Sequence, residues 1–133
     1  MMEMTERIVE TNSAKWKDEV VASKELVIVE FWDPECSYCR MLEPVYAELS
    51  REYAGKLKFA KLDVMESQEN QELAARYGIM STPTLKFFCG GRPVQDIAGM
   101  LPKNHLQEAI DFAIKKHREC AERSTPLSLP YIS

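Results

Sequence analysis

The sequence predicts an α/β fold, a central mixed sheet flanked by helices, and three observations predict it. Apolar runs rich in β-branched and aromatic residues at 26–32, 57–64 and 84–88 read as strands. Helical periodicity separates them, which implies parallel crossovers. Gly90-Gly91 then turns the chain into 93–98, an antiparallel hairpin partner for the third run.

The elements follow in order. Ile8-Val9 gives a short edge strand. Asn12 or Ser13 offers a helix N-cap, followed by Trp16, Val20 and Val21 at helical spacing. The run 26–32 is a buried central strand with both faces covered, and Glu30 is its exception. Asp33-Pro34-Glu35 breaks it. From Ser37 onward Met41, Leu42, Val45, Tyr46, Leu49 and Tyr53 mark an amphipathic helix, kinked by Pro44 and ended by Gly55. The run 57–64 is a second buried strand with Asp63 near its end. Leu73, Ala74 and Tyr77 give a short helix closed by Gly78. Pro102 opens a last helix, with Leu106, Ala109, Ile110, Ala113 and Ile114 as its apolar stripe, running to about Arg123. The order is βαβαβαββα.

A chain of 133 residues suggests one domain, taken as 1–123, with 124–133 and its Pro126 and Pro130 as a loose tail. The net charge of −4 argues against a phosphate-backbone binder, so no nucleic-acid partner is expected. The first seven residues, Met1 to Arg7, are polar and lack an apolar core of the export type, and no run approaches a bilayer span. The expectation is therefore a cytoplasmic protein with no membrane partner. In such a compartment thiols stay reduced, and the four cysteines are more naturally catalytic or metal-binding than structural.

Two of them form Cys36-Ser37-Tyr38-Cys39, where a central strand ends and a helix begins. A helix start supplies unpaired N–H groups and a positive dipole end, so Cys36 is expected to have a lowered pKa. Cys39 lies in the first helical turn, within bonding reach. A bare C-x-x-C can also be half of a zinc site, but that needs a second pair, and Cys89, Cys120, His105 and His117 are scattered. Cys89 reads as a small packed hydrophobe and Cys120 as an exposed thiol. Met41 reads as core filler, and His105, His117 and the 115–123 charge run as solvated.

The segment Phe31-Trp32-Asp33-Pro34-Glu35-Cys36-Ser37-Tyr38-Cys39-Arg40 resembles the active-site segment of the thioredoxin family. The resemblance covers about residues 7–118. Glu30 falls where the family carries a buried acid, Pro44 where its active-site helix kinks, and Lys61 where a lysine neighbours the acid. Tyr77-Gly78-Ile79-Met80-Ser81-Thr82-Pro83-Thr84 resembles the cis-proline segment, and Gly91 and Gly99 match two family glycines.

The resemblance implies a thioredoxin fold and a thiol–disulfide oxidoreductase acting on protein disulfides, and the inferred cytosolic location makes it a reductase. Cys36 would be the attacking cysteine and Cys39 the resolving one. Glu30 would move the proton of Cys39, with a raised pKa suited to that task. Pro83 would be cis and face the sulfurs, and the Thr82 backbone would pair with an extended substrate. Trp32, Lys61 and Tyr38 complete the supporting set. No bound cofactor is implied beyond the Cys36–Cys39 disulfide itself. The partners would be disulfide-bearing proteins and a separate electron-donating reductase, with the chain a monomer. The family's usual tryptophan and Gly-Pro are replaced here by Glu35 and Ser37-Tyr38, and the Glu35 carboxylate is expected to raise Cys36. The rival readings are a disulfide isomerase or oxidase, and a non-enzymatic binding or chaperone module on the same fold.

Overall fold

The computed structural model describes residues 7–121. Five strands form one mixed sheet in the order β1-β3-β2-β4-β5. They are β1 (Ile8–Glu10), β2 (Val27–Trp32), β3 (Lys58–Asp63), β4 (Thr84–Cys89) and β5 (Arg92–Ala98). The pairs β1–β3 and β2–β3 are parallel, whereas β2–β4 and β4–β5 are antiparallel. The helices are α1 (Ser37–Glu52), α2 (Gln68–Arg76), α3 (Lys103–Lys116) and α4 (Arg118–Ala121). The expected first helix is a short π-helical turn at Lys17–Val21. Among the described residues no helix is long and apolar enough to cross a membrane.

Strand alternation sorts the core into two faces. One face of the sheet buries Ile28, Phe59, Leu85 and Phe87 against Leu42, Tyr46 and Leu49 of α1 and Leu106 and Ile110 of α3. The other buries Val27, Val29, Phe31, Ala60, Leu62 and Phe88 against Trp16, Val20, Leu73 and Ala74. Central strands covered on both sides must be apolar on both sides, which is why β2 reads as a continuous run. Glu30 shares the face of Ile28 and is 4% exposed. It therefore points toward α1, the helix that carries the cysteines.

Tyr46 ties that helix to the sheet. Its buried hydroxyl lies 3.1 Å from the Ile28 carbonyl and 2.8 Å from the Ala60 carbonyl. Its one proton is shared between acceptors on β2 and β3. Tyr46→Phe is expected to lower stability by about 1–2 kcal/mol, since it strands buried acceptors. A thermal melt checks this, and an unchanged midpoint would remove the hydroxyl from the account. At the hairpin, Gly91 has φ +82, and a Cβ there would lie 3.0 Å from Val21 Cγ1. Only glycine meets both demands.

Several expectations are corrected by the structure. Met41 is 57% exposed rather than core, because it lies on the outer edge of the α1 stripe. Pro102 is the N-cap of α3, not its first helical residue. The last helix does not run through: it ends at Lys116, and α4 begins after His117, whose backbone has left the helical region. Cys89 and Cys120 are disulfide-bonded to each other. Cys120 is fully buried, because the break at His117 turns it inward from a stretch that reads as polar. His105 is exposed as expected, whereas His117 is half-buried with Nε2 sealed from solvent. The remainder of the expected helix to Arg123 and the tail 124–133 lie outside the described residues.

Candidate active site

The loop after β2 is shaped by Asp33. Its Oδ1 accepts from the Glu35 N–H at 2.9 Å, and its carbonyl accepts from the Cys36 N–H at 3.0 Å. Asp in this position closes a turn with its own side chain. Arg40 Nη1 donates to the Pro34 carbonyl at 2.7 Å and pins that turn to α1. Cys36 is left as the N-cap residue with extended backbone. Its Sγ accepts from the Cys39 N–H at 3.2 Å. Cys36 and Cys39 are adjacent at 2.6 Å, with Cys36 half-buried and Cys39 buried.

The two thiols are driven apart in acidity. Slight burial pushes Cys36 up, but hydrogen bonds from the side chains of Cys39 and Thr82 and from the Cys39 and Tyr38 backbone outweigh it, and its pKa is lowered. Burial, together with the hydrogen bond to Cys36, pushes Cys39 up to about 12. Cys36 is thus the better thiolate and Cys39 the better-protected thiol. The expected effect of Glu35 is corrected: that side chain is exposed, and it is not among the causes acting on Cys36.

Behind Cys39 lies a small cavity of about 30 Å³ lined by Glu30, Trp32, Cys39, Arg40, Glu43 and Lys61. That volume admits a water molecule, and the lining offers it polar partners. Burial pushes Glu30 up to about 7, with Lys61 opposing and Glu43 assisting. Lys61 sits beside Glu30 in the β2–β3 register. Its Nζ lies 5.1 Å from the Trp32 ring centroid and 3.8 Å from Glu10 Oε2. The lysine is therefore held by a cation–π contact and an exposed carboxylate, and it reaches Glu30 only through its field.

On the other side, the Thr82–Pro83 peptide is cis, as the resemblance implied. Pro83 is buried, and the Thr82 carbonyl lies 3.4 Å from Cys36 Sγ, within reach of the thiol proton. A groove of about 330 Å³ opens beside it, lined by Asp33, Val64, Met65, Ile79, Met80 and Thr82 among others. Tyr38 is 59% exposed at the start of α1.

The structure thus gathers Cys36, Cys39, Glu30, Trp32, Lys61, Thr82 and Pro83 around one point, with Tyr38 at its rim. Sequence reasoning missed Glu43 and Arg40, which also line the cavity. A signal existed for Glu43, four residues after Cys39 and hence on the same helix face. Among the described residues no group of three or more His, Cys, Asp or Glu side chains is placed to hold a metal ion.

A family model described as Thioredoxin matches residues 7–112. The chain is 41% identical over 100 residues to a chloroplastic M-type thioredoxin of Pisum sativum, covering 75% of this chain and 56% of that protein. It is 40% identical over 102 residues to a thioredoxin of Synechocystis sp., covering 77% of this chain and 92% of that one. It is 39% identical to the chloroplastic thioredoxin M4 of Arabidopsis thaliana over 75% of this chain and 50% of that protein. The match thus spans about half the length of these plant relatives and nearly all of the cyanobacterial one. These relatives overturn the cytoplasmic expectation, because the plant proteins are chloroplastic. That expectation came from the polar first residues, and where a sequence starts carries no information on compartment.

Proposed function

The chain belongs to the thioredoxin family, and on that premise we propose that it reduces protein disulfides through a Cys36/Cys39 dithiol–disulfide cycle. The carrying observation is the asymmetry of the pair: a lowered, accessible Cys36 beside a raised, buried Cys39. The direction of transfer, toward reduction, is supported by similarity to thioredoxins rather than by compartment.

The Cys36 thiolate attacks one sulfur of the substrate disulfide. A mixed disulfide forms and one substrate thiolate leaves. Two of the causes that hold Cys39 up are its hydrogen bond to Cys36 and the Cys36 charge. Both vanish once Cys36 is bonded to substrate, so Cys39 becomes easier to ionise at the moment it is needed. Glu30 takes its proton, through a water in the adjoining cavity. The Cys39 thiolate then attacks Cys36 Sγ, closing the intramolecular disulfide and releasing the second substrate thiolate. Two electrons have passed to the substrate. A separate dithiol reductase returns them.

Pro83 and Thr82 shape the approach. The Thr82 backbone offers an extended substrate segment a strand-like partner, and the groove beside Met80 receives a flanking side chain. Trp32 and Lys61 act through Glu30: the ring holds the ammonium in place, and the ammonium keeps Glu30 from rising further. Tyr38, exposed on the same rim, is placed to touch the partner.

A redox titration in glutathione buffers, with peptide mapping of every cysteine, tests the reading. The expected result is one two-electron couple mapped to Cys36 and Cys39 near about −270 mV. A couple well above about −200 mV would make the chain an oxidant or isomerase. A pair that never closed would end the enzyme reading.

A further inference from the structure

The disulfide between Cys89 and Cys120 has no part in the cycle above. Cys89 is the last residue of β4, with its partner 31 positions away on α4 and a Cα–Cα distance of 5.8 Å. β4 begins at Thr84, next to Pro83 and the active-site sulfurs. It runs antiparallel to β2, so Cys89 sits at the opposite pole of the sheet from Cys36, about 17 Å along the strand. The chain's own Cys36 cannot reach it. A second molecule's Cys36 cannot reach it in the folded state either, since Cys89 is 3% exposed and Cys120 0%.

The surroundings add a chemical barrier. Both sulfurs belong to the apolar cluster that includes Leu26, Leu57, Ile110 and Ala113. A thiolate leaving into such a cluster is poorly solvated, so exchange is slow even for a thiol that gains access. The placement of Cys120 points to a mechanical role. α4 has four residues, far too few to hold itself as a helix. It follows a break at His117 and lies beyond residue 112, where the family match ends. The disulfide encloses β5 and α3 in a covalent loop and anchors a segment that this chain adds to the matched region.

We propose that Cys89–Cys120 is a second dithiol–disulfide site, a clasp that fastens the C-terminal segment to the far pole of the sheet and stays closed while Cys36 and Cys39 cycle. It forms by exchange with an oxidised thiol couple of the glutathione disulfide type. Two electrons and two protons pass from the cysteines to that couple, and one disulfide is made as another is broken. Opening takes the reverse path, with a dithiol as donor, and requires α4 to lift first.

The test uses the full chain oxidised with glutathione disulfide. It is exposed briefly to dithiothreitol, alkylated and mapped by mass. The Cys36–Cys39 disulfide is expected to be reduced at least 100-fold faster than the Cys89–Cys120 disulfide, both read by alkylation after an acid quench and unfolding. In denaturant the gap closes. The variant with both Cys89→Ala and Cys120→Ala should melt on the order of 10 °C lower, since closure of the 31-residue loop is lost. At 25 °C it should keep its disulfide-reducing rate within twofold. Absence of a Cys89–Cys120 cross-linked peptide from the folded oxidised protein would overturn the proposal, as would equal reduction rates for the two pairs. If the double variant fails to fold, the rate ratio in the unaltered chain still decides. Failure of the Cys36/Cys39 reading would show separately in the same map, as an active-site pair that never closes.

Discussion

Serine at position 36 is expected to lower the rate of protein-disulfide reduction by at least about 10³-fold, with the melting temperature nearly unchanged. An alcohol is not ionised at neutral pH, so the nucleophile is lost outright. Cys39 cannot stand in. It is 3% exposed. Burial, the largest cause of its raised pKa, persists in the variant and keeps it a thiol at neutral pH. Stability is spared because Cys36 is a half-buried N-cap residue, and serine caps a helix well. Cys39→Ser gives the complementary result. The first attack proceeds, resolution fails, and a stable mixed disulfide with the substrate accumulates on Cys36. Turnover assays and intact-mass spectrometry read both variants. Activity of Cys36→Ser within tenfold of the unaltered chain would show that Cys36 is not the attacking group.

The parts of this molecule that were legible in the sequence are those set by local pattern. β2 reads as a strand because its two faces both need apolar residues, and α1 reads as a helix because only one face does. Glu30 stood out because a lone acid in a buried strand is rare. The active-site loop carries its own turn chemistry in Asp33. What stayed hidden depends on where distant segments meet. Cys89 and Cys120 lie 31 positions apart in unrelated contexts, and only the break at His117 brings them together. Spacing says nothing about such a pair. Lys61 lies across from Glu30 in the register and its field opposes the rise of that acid, in keeping with its place beside the acid, but its direct contacts are not legible in the sequence. The structure gives it a Trp32 ring and Glu10 as direct contacts, because the ammonium reaches past Glu30 toward the sheet edge. Met41 failed for a smaller reason: the edge of an amphipathic stripe is not separable from its centre by periodicity alone.

Glu30→Leu is expected to slow resolution by about 10²-fold at pH 7 and at the same time to stabilise the fold at alkaline pH. Both effects follow from one shift. Burial raises the Glu30 pKa from 4.5 to about 7, so the folded state favours the neutral acid. A group raised in the folded state contributes its full stability below the unfolded value and loses it as pH rises through the folded one. The unaltered chain should therefore lose stability between about pH 4.5 and pH 7, by roughly 3 kcal/mol if the whole shift is expressed. Leucine carries no such cost. The variant should melt well above the unaltered chain at pH 8, with a smaller gap at pH 4. The charges facing Glu30 are Lys61 on β3 and Glu43 and Arg40 on α1, with Cys39 beside them. Lys61 and Glu43 act in opposite directions on Glu30, which is why burial dominates. Catalysis runs the other way. Only ionised Glu30 can accept the Cys39 proton, so the resolving step should quicken as pH rises through about 7. That inflection should vanish in Glu30→Leu. Stopped-flow measurement of mixed-disulfide resolution across pH 5–9, paired with melts at the two pH extremes, separates the roles. A pH profile unchanged by the substitution would remove Glu30 from proton transfer, even if the stability difference appeared as expected. A loss of stability at both pH values would mean that the ionised carboxylate is better held by its neighbours than its burial allows, and that Lys61 rather than desolvation governs it.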